Sequence, residues 1–304
     1  MIEINYKDIL NNQLDDFYNK ITHLKNFQAV IRGDTASLLS NLSEKKKRIE
    51  DKKKDPEIDE SIKSFFGLQL RCFSFPSPYS GVREFIGYRN NDVEEQTYLL
   101  LLHKNKQYQW LLVEAYEVFE DFIKSIYGCV GYINPSFWPA SDFGDIAIKD
   151  IPSQNLKWFN VQATKKKKAP KSILNQFREK LPALVYIEIK NKTSTNYRLA
   201  VTMIENFRHV IVHRNGNFGD KEEFIRQVIA CSGVPKKNHE AAIQYILKYT
   251  RKLKDVDVIY LLEKEGPYPF IFYDVLDQLI DVLLAYAFII KCELDKYLLS
   301  TIDD

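Results

Sequence analysis

Apolar side chains that recur every three and four residues, over several long stretches, constrain this chain more than any other feature. Residues 110–127 carry Leu112, Tyr116, Phe119, Ile123 and Ile126 at that spacing, with Glu114, Glu117, Glu120 and Asp121 making an acidic side. Residues 275–299 repeat the pattern with Leu276, Leu279, Ile280, Leu283, Leu284, Phe288 and Leu294. The run 282–290 is so apolar that burial on more than one side is expected, yet it is too short to span a bilayer. Helices that each bury a stripe need other helices to cover it, so the expected fold class is all-α.

A third helix is expected from about Asn196 to Asn215-Gly216, with Gly216 supplying the left-handed cap. At about 100° per residue, Leu199, Met203, Ile204, Phe207, Val210 and Ile211 share one arc, with Ala200 and Arg214 among them. Arg198, Glu205, Arg208, His209 and His213 share the other, with Val201 and Val212 between them. Arg208 and His213 stand about 140° apart on the wheel and about 7.5 Å along the axis. One helix therefore packs an apolar face and shows an Arg/His/Glu face elsewhere.

Arg208-His209-x-x-x-His213 resembles the R-x4-6-H motif of the HEPN superfamily, many of whose members are metal-independent endoribonucleases. The resemblance also covers helix order. Residues 110–127 are similar to the first helix of the HEPN bundle, residues 172–190 and the motif helix to the second and third, and residues 275–299 to the fourth. It implies His213 as acid or base and Arg208 as phosphate clamp, with Glu205 and His209 supporting. It further implies a homodimer with its site at the two-fold interface, RNA as substrate, no metal or other cofactor, and an antitoxin or defence partner protein. Asn215 stands where a toxin subgroup has a Tyr two residues after the His, so membership of that subgroup is not expected.

The chemistry is consistent with those residue types. Metal-free RNA cleavage must take a proton from the 2′-hydroxyl, give one to the 5′-oxygen and stabilise charge on the phosphorane. Histidine, which titrates near neutrality, does either transfer, and arginine offers phosphate a planar fork. Two bland readings compete. Histidines and Arg214 near a helix C-terminus are favoured by the dipole alone. Glu205, His209 and His213 at four-residue steps also mimic a metal-binding face, but no Cys or His cluster elsewhere supports one.

The net charge is +2 over 304 residues, so RNA contact must come from local patches. The run Lys165, Lys166, Lys167 and Lys168 is one candidate for such contact, and Arg198 and Arg214 are further RNA-binding candidates. A second basic run, 43–54, is interspersed with acids and reads as a solvated helix face. Cys72, Cys129, Cys231 and Cys292 form no C-x-x-C pair, and no signal peptide opens the chain, so a cytoplasmic protein is expected.

In the N-terminal part, helices are expected over 6–31 and from 35 to 54, with Arg32-Gly33-Asp34 as the turn of a helical hairpin. A short helix follows at 56–66. Residues 67–92, rich in Pro, Gly and aromatics, read as a loop and set the expected boundary between an N-terminal region, 1–91, and a helical bundle, 92–304. The helix from 93 is expected to be interrupted near Lys104-Asn105 and capped by Gly128, before an irregular stretch at 129–168. A helix kinked at Pro182 is expected over 172–190. Further helices are expected at 218–232 and 239–251, and 255–262 with 269–272 are expected to form one small β-hairpin. The competing functional class is a non-catalytic RNA- or protein-binding dimerisation module.

Overall fold

The N-terminal helix α1, Tyr6–Lys53, runs unbroken for 48 residues through the Arg32-Gly33-Asp34 sequence, in the computed structural model of residues 6–166, 171–266, 268 and 272–302. The expected helical hairpin is therefore corrected to one helix. A lone mid-helix glycine costs only about 1 kcal/mol, which the flanking turns absorb. A side chain at Gly33 would meet nothing within 4 Å. Gly33→Ala is accordingly expected to stabilise the protein by about 0.5–1 kcal/mol in urea melts. An unchanged or lowered midpoint would contradict a continuous helix there.

The chain divides into two compact units, Phe27–Gln107 and a larger one formed by Met1–Asn26 with Tyr108–Asp304. The expected division at residue 91 does not coincide with either junction. The smaller unit holds the second half of α1, the short α2 (Glu60–Lys63), strands β1 (Gln69–Pro76) and β2 (Arg83–Asn91), and the first turns of α3 (Val93–Ile133). Residues 67–92, expected as loop, are thus largely a hairpin paired from Gln69↔Asn91 to Pro76↔Arg83. The aromatic residues Phe73, Phe75, Phe85 and Tyr88 favour strand, and Pro78 and Gly81 lie in the turn between the strands. Gln96 of α3 donates to the carbonyls of Gly67 and Asn91, which joins the hairpin's base to the helix.

The larger unit contains the rest of α3 and three short 3-10 turns within 135–153. It continues with α4 (Leu156–Lys165), α5 (Lys171–Lys180), α6 (Pro182–Ile187), α7 (Tyr197–Arg214), α8 (Lys221–Ser232) and α9 (His239–Leu247). Strands β3 (Thr250–Leu253) and β4 (Val256–Ile259) pair with each other, as do β5 (Lys264–Glu265) and β6 (Phe272–Tyr273), before α10 (Val275–Ile302) ends the described chain. The described residues are therefore mainly helical, with three two-stranded antiparallel hairpins rather than all-α. The expected pairing of 255–262 with 269–272 is replaced, because β4 turns back on β3 through Lys254, which takes a left-handed φ of 53°. Residues 269–271 of that expected hairpin lie outside the described residues.

Helix α3 passes Lys104-Asn105 without interruption and continues past Gly128, the expected cap, to Ile133. Gly128 and Gly131 serve close packing instead. A Cβ on Gly131 would lie 2.3 Å from the Trp138 ring, and one on Gly128 would lie 2.1 Å from Asn160 Oδ1. Trp138 stacks on Tyr127 with centroids 4.8 Å apart and donates its indole N–H to the Tyr127 carbonyl. Of the stretch expected as irregular, 129–168, residues 129–133 complete α3, residues 134–166 fold back on it and include α4, and 167–168 lie outside the described residues. The expected kinked helix is two helices, α5 and α6, with Pro182 opening the second, where its missing N–H is harmless.

The core of the larger unit is aromatic. Phe119 of α3 lies 6.1 Å from both Phe17 and Tyr286, centroid to centroid. Helix α10 buries Leu276, Leu279, Ile280, Leu283, Tyr286, Ala287, Ile290, Leu294 and Leu298 along one face, while Phe288 is exposed, so the burial on more than one side expected of 282–290 is corrected to burial of a single broad stripe. No helix among the described residues is long and apolar enough to cross a membrane.

Candidate functional site

Helix α7 carries the motif, and both its ends are fixed by side chain and backbone. The Asn196 side chain accepts the Leu199 N–H at the start. At the finish Asn215, not Gly216, is the first left-handed residue, with φ 53°, and Gly216 follows at φ 74°. Gly216 also allows a close approach, since a Cβ there would fall 2.4 Å from Gln109 Oε1 on α3. The Gly216 carbonyl accepts from Ile259 N, and Gln109 donates to the Ile259 carbonyl, so β4 and α3 together pin the motif end of α7.

The expected apolar arc is buried: Leu199, Ala200, Met203, Ile204, Phe207, Val210 and Ile211. Two residues depart from the wheel. Val201, placed on the polar arc, is buried, and Arg214, placed on the apolar arc, is exposed at the helix end. Phe207 stacks on Phe224 of α8 at 5.6 Å, which locks the rotation of α7 about its axis. That rotation turns His209 and His213 to solvent with ring centroids 4.6 Å apart.

Arg208, one residue from His209, is half-buried and points back to α3. Its Nη2 donates to Glu117 Oε1 at 3.1 Å, and its buried Nε has no hydrogen-bond partner. Glu117 is the residue that sequence reasoning missed. Its only signal was membership of the acidic side of residues 110–127, and no spacing rule joins positions 91 apart. Glu120 and Glu205 also feel Arg208. Burial raises the carboxyl of each above its ordinary pKa, while Lys124 and Arg208 oppose this at Glu120, and Lys171 and Arg208 at Glu205. Tyr116 between them is pushed well above the ordinary phenol range by burial and then by these carboxylates. Glu205 hydrogen-bonds neither Arg208 nor His209. It lines a polar cavity of about 230 Å³ between α5 and α7 instead.

The basic candidates are dispersed. Arg198 lines the same cavity as Glu205. Arg214 donates to the Phe218 carbonyl at 3.0 Å, so it braces the loop after α7. Lys165 ends α4, while Lys166 pairs with Asp142 and sits over the Tyr127 ring, a structural position. Neither lines the α7 cavity. Lys167 and Lys168 lie outside the described residues. Among the described residues, no group of three His, Cys, Asp or Glu side chains is arranged to hold a metal ion. Glu205, His209 and His213 do not form such a group, because Glu205 turns into the cavity.

Comparison with family models, with curated proteins and with solved structures found no match to this chain.

Proposed function

We propose that this chain is a metal-independent endoribonuclease, of the toxin or antiviral-defence type by its resemblance to the HEPN superfamily. The observation that carries the reading is the pair of exposed imidazoles, His209 and His213, at 4.6 Å on the helix that also carries Arg208, whose guanidinium is held by Glu117. Two adjacent imidazoles and a fixed cation are the groups that a transesterification needs.

In this reading His213 takes the proton from the 2′-hydroxyl, or returns one to the leaving oxygen. The 2′-oxygen forms a bond to phosphorus as the bond from phosphorus to the 5′-oxygen breaks, and a second imidazole supplies the proton that the 5′-oxygen gains. That second imidazole is His209 of the same chain or His213 across a two-fold homodimer. Arg208 stabilises the phosphorane. Its contact to Glu117 is solvent-accessible, and an exposed pair of this kind is worth only about 0–1 kcal/mol, so a phosphate oxygen displaces it readily. The products are a 2′,3′-cyclic phosphate and a 5′-hydroxyl. An antitoxin or defence partner would regulate access to the same face.

The second reading, a non-catalytic RNA- or protein-binding dimerisation module, is favoured by the Arg208–Glu117 pair, which also suits a purely structural face. Chemical analysis of RNA ends after incubation with the purified protein separates the two. Cyclic phosphate ends, absent when the substrate is 2′-deoxy at the cut position, are expected of the nuclease. Binding to RNA that stays intact would overturn it in favour of the module.

A further inference from the structure

The polar stripe of α7 does not stop at the histidines. It continues toward the N-terminus of the helix through Glu205, Thr202 and Arg198, residues three, four and seven apart, into the cavity that α5 closes from the other side. Thr202 precedes His209 by seven residues, about 10.5 Å along the axis, so the cavity lies one short step from the imidazole pair. At about 230 Å³ it is smaller than a pocket for a drug-sized ligand and suits one phosphorylated sugar.

Its charge is specific. Lys171 and Arg198 both line it, and neither forms a salt bridge with a described residue, although Lys171 lies near enough to Glu205 to act on its carboxyl. Arg198 is positioned without being neutralised. Its Nη2 would lie 3.2 Å from a Cβ on Gly233, so the guanidinium rests over the glycine that ends α8, near the negative end of that helix. Arg178, the third cation, is already neutralised by Glu188. Asn175 accepts from Arg178 through its Oδ1 and keeps its NH2 as donor, and Asn206 donates to the Thr202 carbonyl and keeps its Oδ1 as acceptor. The acid among the described lining residues is Glu205, whose carboxyl burial raises above its ordinary pKa while Lys171 and Arg208 oppose this.

We propose that this cavity seats a phosphate-bearing nucleotide of the RNA strand next to the one being cut, with Lys171 and Arg198 on the phosphate and Asn175 and Asn206 on the sugar or base. The proposal rests on the nuclease reading, but its test does not need cleavage. Binding of a 2′-O-methyl oligoribonucleotide, which cannot be cut, is measured by fluorescence anisotropy across a salt series. The double variant Lys171→Gln/Arg198→Gln is expected to bind at least about 10-fold more weakly. The slope of log affinity against log salt should shrink by about 0.7 for the lost phosphate. The charge-conserving Lys171→Arg/Arg198→Lys, which controls for folding, keeps most of the affinity. Wild-type affinity and slope in the Gln variant would overturn the proposal, as would a wild type that does not bind the oligonucleotide. Adenosine monophosphate binding as tightly as the oligonucleotide would assign the cavity to a free nucleotide and overturn the RNA strand as its source. Absence of cleavage in a protein that passes the binding test would count against the nuclease alone.

Discussion

His213→Ala is expected to lower the rate of RNA cleavage by about 10²–10⁴-fold, the usual contribution of one general acid or base. The substitution is clean. His213 is exposed in the last turn of α7, and its contact is the ring of His209, so nothing in the core moves when it is cut back. The end of the helix stays anchored through Gly216, Gln109 and Ile259. Thermal melts and sedimentation should therefore match wild type while activity falls. If His209 serves as the second imidazole within one chain, His209→Ala should fall by a similar factor. If the second imidazole comes from a symmetry mate, His209→Ala should cost far less. Wild-type rates in His213→Ala would remove His213 from the chemistry altogether.

Glu188→Ala is expected to cost about 3–5 kcal/mol of stability, a large part of the total for a domain of this kind. Glu188 is fully buried. It accepts from Arg178 Nε at 2.9 and 3.1 Å, pairs with Nη2 at 2.9 Å, and accepts from the Tyr286 hydroxyl. Burial alone would pull Arg178 down, but Tyr286 and Glu188 outweigh it and hold the guanidinium above its ordinary pKa. Without Glu188 that charge stays in place with no counter-ion. The melting temperature should drop by on the order of 10 °C. Replacing both partners, Arg178→Met with Glu188→Leu, should recover most of the loss, because no buried charge is then stranded. A drop below 1 kcal/mol in the single variant would show that water reaches Arg178 and compensates it.

The elements that sequence reasoning placed well are those whose signals are local. Asn196 and the Asn215-Gly216 pair bound α7 because a cap and a left-handed stop act on their own helix. The buried face of α7 and the buried stripe of α10 followed from periodicity in the same way. The readings that failed used local signals where tertiary packing decides. Gly33 resembles a stop, yet α1 simply continues past it. Gly128 resembles a cap, yet it and Gly131 are small because Asn160 and Trp138 press against α3. The hairpin of β1 and β2 was hidden because its Pro and Gly residues read as linker, although Pro78 and Gly81 lie in the turn and Pro76 and Gly87 within the paired strands. For the candidate site, the motif residues and the acidic side of α3 were legible. The pairing of Arg208 with Glu117 and the closing of a cavity by α5 were not, since both join positions remote in sequence.

The measurement that tests the central claim most directly is cleavage of end-labelled RNA by purified protein in excess EDTA, with His213→Ala run alongside. The account predicts cleavage that persists in EDTA, leaves cyclic phosphate ends and disappears in the variant. Intact RNA with the wild-type protein, or cleavage that EDTA abolishes and a divalent cation restores, would contradict it.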